Sequence, residues 1–253
     1  MLENILITQL FSFFLVFCRM GSAIMVLPGF GEAYVPTRVR LLLAAMFSLL
    51  IAPVVHNIPT MPADIFRLFN MLLAEILIGI FLGGISRILI SAIHMGGMII
   101  AYQSSLASAV TQDLTLSQAQ GTSLGNLLGV SALVILFTTD LHHLILRGLA
   151  DSYILFSIGQ FPHVDDFANH ATILISSSFQ MAMKIAAPHI VIGLMIYLGA
   201  GIIARLMPNI QIFFLLMAPQ LLISFFILMI SASAILLWYM EYIKDSLAMF
   251  LAP

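Results

Sequence analysis

The sequence predicts an all-α membrane protein, about six long, kinked hydrophobic segments forming a single integral membrane domain over residues 1–253. Three observations predict it. Hydrophobic residues make up 62% of the chain and charged residues 8%, with a mean hydropathy of +1.13. A soluble domain of this size needs roughly a quarter of its residues charged. The apolar runs are long enough for membrane helices and are bounded by proline, glycine and polar clusters. Nothing in the chain reads as a sheet, which calls for short runs of alternating polarity.

The first segment covers about residues 4–27 and stops at Pro28-Gly29, because proline removes a backbone donor and cannot continue a helix. It opens MLEN, with an acid where a signal peptide has its basic region, and Arg19 interrupts its apolar run, so it is expected to stay in the chain. After the loop GFGEAYVP, a second segment runs from about 37 to 52 and stops at Pro53. Pro59 and Pro62 lead to Asp64, an N-cap for a long third segment over about 65–101, punctuated by Gly83-Gly84 and Gly96-Gly97. A fourth spans about 120–137 and ends near Asp140. A moderately polar connector with amphipathic turns around 144–156 follows, through Pro162 and Asp165-Asp166. The fifth covers about 167–206, with Pro188 as a kink, and the sixth runs from Pro208 to about 249, with Pro219 inside. Trp238, Tyr239 and Tyr242, beside Glu241, Lys244 and Asp245, suit an interfacial anchor. Lys and Arg divide almost evenly between alternate loops, so charge sets no orientation. The net charge of −2 gives nucleic acid no reason to bind, and a single cysteine, Cys18, excludes an internal disulfide.

Between the third and fourth segments lies a polar stretch, Tyr102–Asn126, with five Ser, three Thr, four Gln and one charge, Asp113. It has two readings. One is a solvated connector. The other is a segment that lines or blocks an aqueous path at membrane depth, where irregular backbone survives only if protein or a water-filled cavity satisfies it. Neutral side chains suit that task because they hydrogen-bond without the cost of burying a charge. The candidate gate residues are Gln103, Ser104, Ser105, Ser108, Thr111, Gln112, Asp113 and Ser117.

Small residues recur every four positions at Ser117, Gly121, Gly125 and Gly129, and again at Gly79 and Gly83, which are flanked in the same register by Glu75 and Arg87. Residues four apart share a helix face, and small ones there let another backbone come close. Five charges sit inside apolar segments: Arg19, Glu75, Arg87, Lys184 and Arg205. Each costs roughly 2.5–3.5 kcal/mol alone at a bilayer centre, so each must meet a partner, a water-filled path or the interface. Arg19 with Glu75 is the expected pair. GTSLG at 121–125 fits the G-x-S-x-G pattern, but the nucleophile elbow needs a strand before it, so no enzyme is expected. Asp140, His142 and His143, with His163, Asp165 and Asp166, lack the spacing of a helical metal site and read as loop residues; no metal or cofactor is expected. His94 and His189 read as hydrogen-bonded core residues, and the sixteen Met as core filler.

The order of these features resembles the FliR family of flagellar export-gate proteins, known as SctT in injectisomes. The resemblance rests on Arg19, LPGFGEAYVPTRVRLLLA at 27–44, EILIGIFLGG at 75–84, GGMIIAYQ at 96–103, Asp113, and AAPHIVIGLMIYLGAGIIARLMPNIQIFFLLMAPQ at 186–220. It covers the whole chain, through the order of motifs rather than any single one. The chain departs from the family's pattern at Ser104-Ser105, where a glycine follows the Gln, at Leu114, where a proline follows the Asp, and at NIQIF after Pro208. The resemblance implies helical hairpins within a hetero-oligomeric export gate in the bacterial inner membrane, at the flagellar basal body. It implies FliP-like and FliQ-like partners, an FlhB-like subunit, contact with membrane lipid, and unfolded proteins as cargo. It also implies that residues 102–118 plug the channel. The rival reading is a secondary transporter of a small solute built on Glu75, Arg87 and Lys184, although no paired repeat supports it.

Overall fold

The computed structural model describes residues 2–55, 59–105, 123–161, 164–207 and 211–248. Among the described residues there are seven α-helices and no strand: α1 (Leu2–Val26), α2 (Thr37–Ile51), α3 (Ile65–Gln103), α4 (Ser123–Thr138), α5 (Leu141–Leu155), α6 (Val164–Leu206) and α7 (Ile212–Ala248). The chain is an all-α protein with helices built for a membrane. Helices α1, α3, α6 and α7 are long and apolar enough to cross one, and α4 with α5 makes a fifth if the two are one broken span.

Two expectations need correction. The second segment has 15 residues, about 22 Å at 1.5 Å per residue, which falls short of a hydrocarbon core of roughly 30 Å. The connector after residue 138 is largely a helix, α5. Its buried residues, Leu141, Ile145, Leu149 and Ser152, recur every three or four positions. Only that narrow stripe packs inward, while His143 and Arg147 stay exposed, and the resulting mixed composition reads as loop. Asp140 precedes it with φ +59°, a left-handed conformation that Asp tolerates better than most residues.

Local chemistry sets the helix ends. Asp64 caps α3, its Oδ1 accepting the Phe66 N–H at 3.1 Å, which satisfies one of the orphan donors of a first turn. Arg40 of α2 reaches back to donate to the Val35 and Glu32 carbonyls at 2.8–3.0 Å and so fastens the loop before its own helix. Pro188 lies inside α6 and Pro219 inside α7.

The described residues form two compact units. The first draws on Met1–Leu89, Phe137–Ile175 and Lys244–Pro253, the second on Ile90–Leu136 and Ser176–Ile243. In the first, Phe11 and Leu15 of α1 pack with Met71 of α3 and Ile158, with Val55, Leu68, Leu72 and Tyr153 around them. In the second, Ile93 and Ile100 of α3, Leu128 and Ala132 of α4, Ile185 of α6 and Ile235 and Tyr239 of α7 are buried.

Candidate functional site

Each unit buries one polar cluster among apolar helices. In the first unit the cluster is built around Arg19 and Glu75, both fully buried. Arg19 Nε donates to Glu75 Oε2 at 2.7 Å and Nη2 to Oε1 at 3.1 Å, a bidentate pair joining α1 to α3. Nη1 donates to the Ser152 carbonyl and hydroxyl at 3.2 and 3.3 Å, and Nη2 also donates to the Phe156 carbonyl at 3.2 Å. The Tyr153 ring lies 4.2 Å from the guanidinium carbon. These carbonyls belong to the end of α5, where the dipole favours a cation; the Ser152 carbonyl accepts the Phe156 N–H at 2.8 Å as well. Glu75 Oε1 accepts a further bond, from the Gly159 N–H at 2.8 Å. Gly159 has φ +73°, a left-handed conformation that glycine adopts without strain, and a Cβ there would crowd Met71. Burying two charges is costly, and it is tolerated here because each is fully hydrogen-bonded.

The α3 face that carries Glu75 continues along α1. A Cβ on Gly79 would run into the Ser22 hydroxyl and the Arg19 carbonyl, and one on Gly83 would lie 2.7 Å from the Ala23 carbonyl. Arg87, exposed, donates to the Val26 carbonyl at 3.4 Å. The whole four-residue register from Glu75 to Arg87 therefore meets one helix.

In the second unit the cluster forms where α3 ends. The last four carbonyls of a helix have no intrahelical donor. Here each has found one. Ile100 O accepts the Ser104 N–H at 2.9 Å, Ala101 O the Ser104 hydroxyl at 3.1 Å, and Tyr102 O the Ser105 N–H at 3.4 Å. Gln103 O accepts from Gln220 Nε2 of α7 at 2.5 Å. The same Gln220 amide donates to the Tyr197 hydroxyl at 3.3 Å, and its Oε1 accepts the Ser105 hydroxyl at 3.1 Å. Ser105 has φ +58°, a strained conformation for a residue with a Cβ, and its bond to Gln220 offsets part of that strain. Below it, a cavity of about 10 Å³ is lined by Gln103, His189, Gly193, Gln220 and Ser224 together with four isoleucines. His189 is buried; Nε2 lies 3.3 Å from the Ser224 carbonyl, and Nδ1 has no protein partner among the described residues.

Of the gate candidates, Gln103, Ser104 and Ser105 fall in this cluster. Ser108, Thr111, Gln112, Asp113 and Ser117 lie outside the described residues, as does Gly121 of the small-residue stripe. Gly125 and Gly129 meet α3: a Cβ on Gly97 would lie 2.7 Å from Gly125 Cα, and one on Gly129 would lie 3.2 Å from His94 Nδ1. Gly96, next to Gly97, faces Ile185 and Ala182 of α6 instead. Lys184 and Arg205 are exposed on α6.

Asp140, His142 and His143 bring their ligand atoms within 4.8 Å of one another, but Asp140 and His143 are 79% and 71% exposed. His163 lies outside the described residues, and Asp165 is exposed in α6. Ser123 of GTSLG opens α4. Tyr239 and Tyr242 are held by the packing of the second unit. Tyr239 is fully buried, and the Tyr242 hydroxyl is 3.0 Å from those of Ser177 and Ser178, because a phenol packed inside needs a polar partner. Trp238 alone of the three points outward, 60% exposed.

Sequence reasoning missed Gln220, Tyr197, Ser152 and Gly159. The available signal for Gln220 was an amide directly after an intrahelical proline in an otherwise apolar helix. For Ser152 it was the four-residue period of α5.

The chain matches the family model described as bacterial export proteins, family 1, over residues 10–246. It is similar to the flagellar biosynthetic protein FliR of Caulobacter vibrioides, 30% identical over 237 residues that cover 93% of this chain and 94% of that one. It is similar to the protein of the same name from Bacillus subtilis, 28% identical over 229 residues, 88% and 87% of the two chains. It is also similar to the Yop proteins translocation protein T of Yersinia pestis, 26% identical over 189 residues, 72% and 70% of the two chains.

Proposed function

The chain belongs to the bacterial export protein family 1, and from that premise we propose that it is a non-enzymatic subunit of the core gate of a type III, flagellar protein-export apparatus. In this role it joins FliP-like and FliQ-like subunits, with an FlhB-like subunit alongside, at the flagellar basal body. Together they form a channel through the bacterial inner membrane for unfolded proteins.

The observation that carries this is helix length. Helices α3, α6 and α7 have 39, 43 and 37 residues, or about 56–64 Å. That is about twice a hydrocarbon core of roughly 30 Å. Large apolar side chains stand exposed along them, among them Phe66 and Met95 on α3, Ile173 and Leu198 on α6, and Leu222 and Leu237 on α7. Lipid covers half such a length; other apolar subunits cover the rest. The rival, a solute transporter using Glu75, Arg87 and Lys184, fits less well, because Glu75 is fully buried with its oxygens committed to Arg19 and Gly159.

Within that role the polar segment 102–118 acts as the plug. Neutral hydrogen bonds net about 0.5–1.5 kcal/mol each, so a handful of them makes a seal that cargo or a partner can displace. Deleting Leu106–Leu114 spares the Ser104-Ser105 end of α3. The deleted complex is expected to assemble normally and to conduct small ions. Ion conductance of the purified complex, beside an assembly check, tests this. A complex as tight as wild type would assign the seal to another subunit.

A further inference from the structure

Helix α6 in the second unit has two apolar faces. One packs inward through Met181, Ala182, Ile185, Ala186 and His189, all buried. The other is exposed, from Phe179 and Met183 through Val191, Leu194 and Met195 to Leu198 and Ile202, at 40–66% each. That outer stripe spans 24 residues, 179–202, about 35 Å along the axis. Lys184 sits on it, exposed, with no ion pair to any described residue. Gln180 is exposed one turn before it. One turn after it comes Pro188, which has no N–H and therefore leaves the Lys184 carbonyl without its helical donor. An ammonium, a bare carbonyl and an amide thus share one spot on an otherwise apolar stripe.

A lysine near the end of a membrane helix snorkels, with its stem along the apolar surface and its head in the headgroups. Gln180 and Ser176 share its face one and two turns before it, but Lys184 lies near the middle of α6, about 30 Å from either end at 1.5 Å per residue, so neither helix end is within reach of its head. Because it points away from the packed face, the rest of its own unit does not compensate it among the described residues.

We propose that Lys184 marks a docking site for a membrane helix of a partner subunit that carries a carboxylate opposite the ammonium. A hydroxyl or amide one turn along that helix donates to the Lys184 carbonyl. The occupant is chosen by charge complementarity. An apolar helix with one acidic residue covers the stripe and compensates the cation, whereas a purely apolar one leaves the charge buried. This rests on the export-gate role proposed above, because it needs a partner subunit to exist.

The test is co-purification of tagged chain with co-expressed FliP-like and FliQ-like subunits, with membrane levels of the chain checked by immunoblot. K184M keeps the stem and removes the charge; it is expected to lower the yield of complex roughly tenfold or more, as loss of one member of a buried charge pair does. K184R is expected to retain most of the yield, and K184E to lose nearly all of it. Replacing one Asp or Glu in a partner's membrane helix by Lys is expected to restore assembly of K184E. Wild-type yields of K184M and K184E would overturn the pairing and leave Lys184 to lipid headgroups or water. Rescue of K184E only from within this chain would overturn it too. Failure of the wild-type chain to co-purify with any partner would remove the export-gate role along with it.

Discussion

Arg19 has five N–H donors, and five acceptors surround them: two Glu75 oxygens, the Ser152 carbonyl and hydroxyl, and the Phe156 carbonyl. Lysine at this position would bring three donors on a point charge and lose the planar fork. Arg19→Met leaves the Glu75 carboxylate buried and uncompensated, at a cost of about 3–5 kcal/mol. Removing both charges, as in Arg19→Met with Glu75→Leu, is expected to recover much of that loss, because a buried pair is often replaceable by apolar packing. Thermal midpoints of the purified assembly measure it; a double variant as unstable as the sum of the single ones would rule out the ion-pair account. The pairing of Arg19 with Glu75 was legible from cost alone, since a lone charge in an apolar helix must find a counter-charge. The other three acceptors were not, because they lie on an element whose narrow buried stripe reads as loop.

Close helix contacts are made by glycines at two places along α3, and they differ in kind. Gly79 and Gly83 meet α1, whereas Gly96 and Gly97, adjacent in sequence and so about 100° apart, serve two neighbours, α6 and α4. At Gly97 the obstacle is the backbone of Gly125, which has no side chain to move aside. Gly97→Ala is therefore expected to destabilise by about 1–3 kcal/mol, as overpacking does. Gly84→Ala has nothing within 4 Å of the new methyl and is expected to be neutral or to gain up to about 1 kcal/mol from helix propensity. Yields of the assembled complex compare the two, and equal yields would remove the close-contact account. The four-residue period announced the Gly79–Gly83 face of α3 and the Gly125–Gly129 face of α4, but neither the role of Gly96 and Gly97 nor which neighbour each face meets. That depends on crossings between helices distant in sequence, which periodicity within one helix does not encode.

Across the whole molecule, apolar surface exceeds what this chain covers by itself, as the outward side chains of α3, α6 and α7 illustrate. Expressed without partner subunits, the chain is expected to aggregate or be degraded; with them it is expected to elute as one species. Detergent gel filtration decides between these, and a folded, monodisperse monomer would count heavily against the outcome expected here. The division into two units was not legible, because α3, α6 and α7 each contribute to both, and no linker or composition change marks a boundary inside a continuous helix. The Arg19 cluster carries a further consequence, for how the protein is made. Phe156 lies 137 residues downstream of Arg19, and at about 5–20 residues per second a ribosome needs roughly 7–27 s to synthesise that interval. For that long the Arg19 guanidinium is short of acceptors, so α1, translated before α5, cannot close this cluster until α5 has followed it.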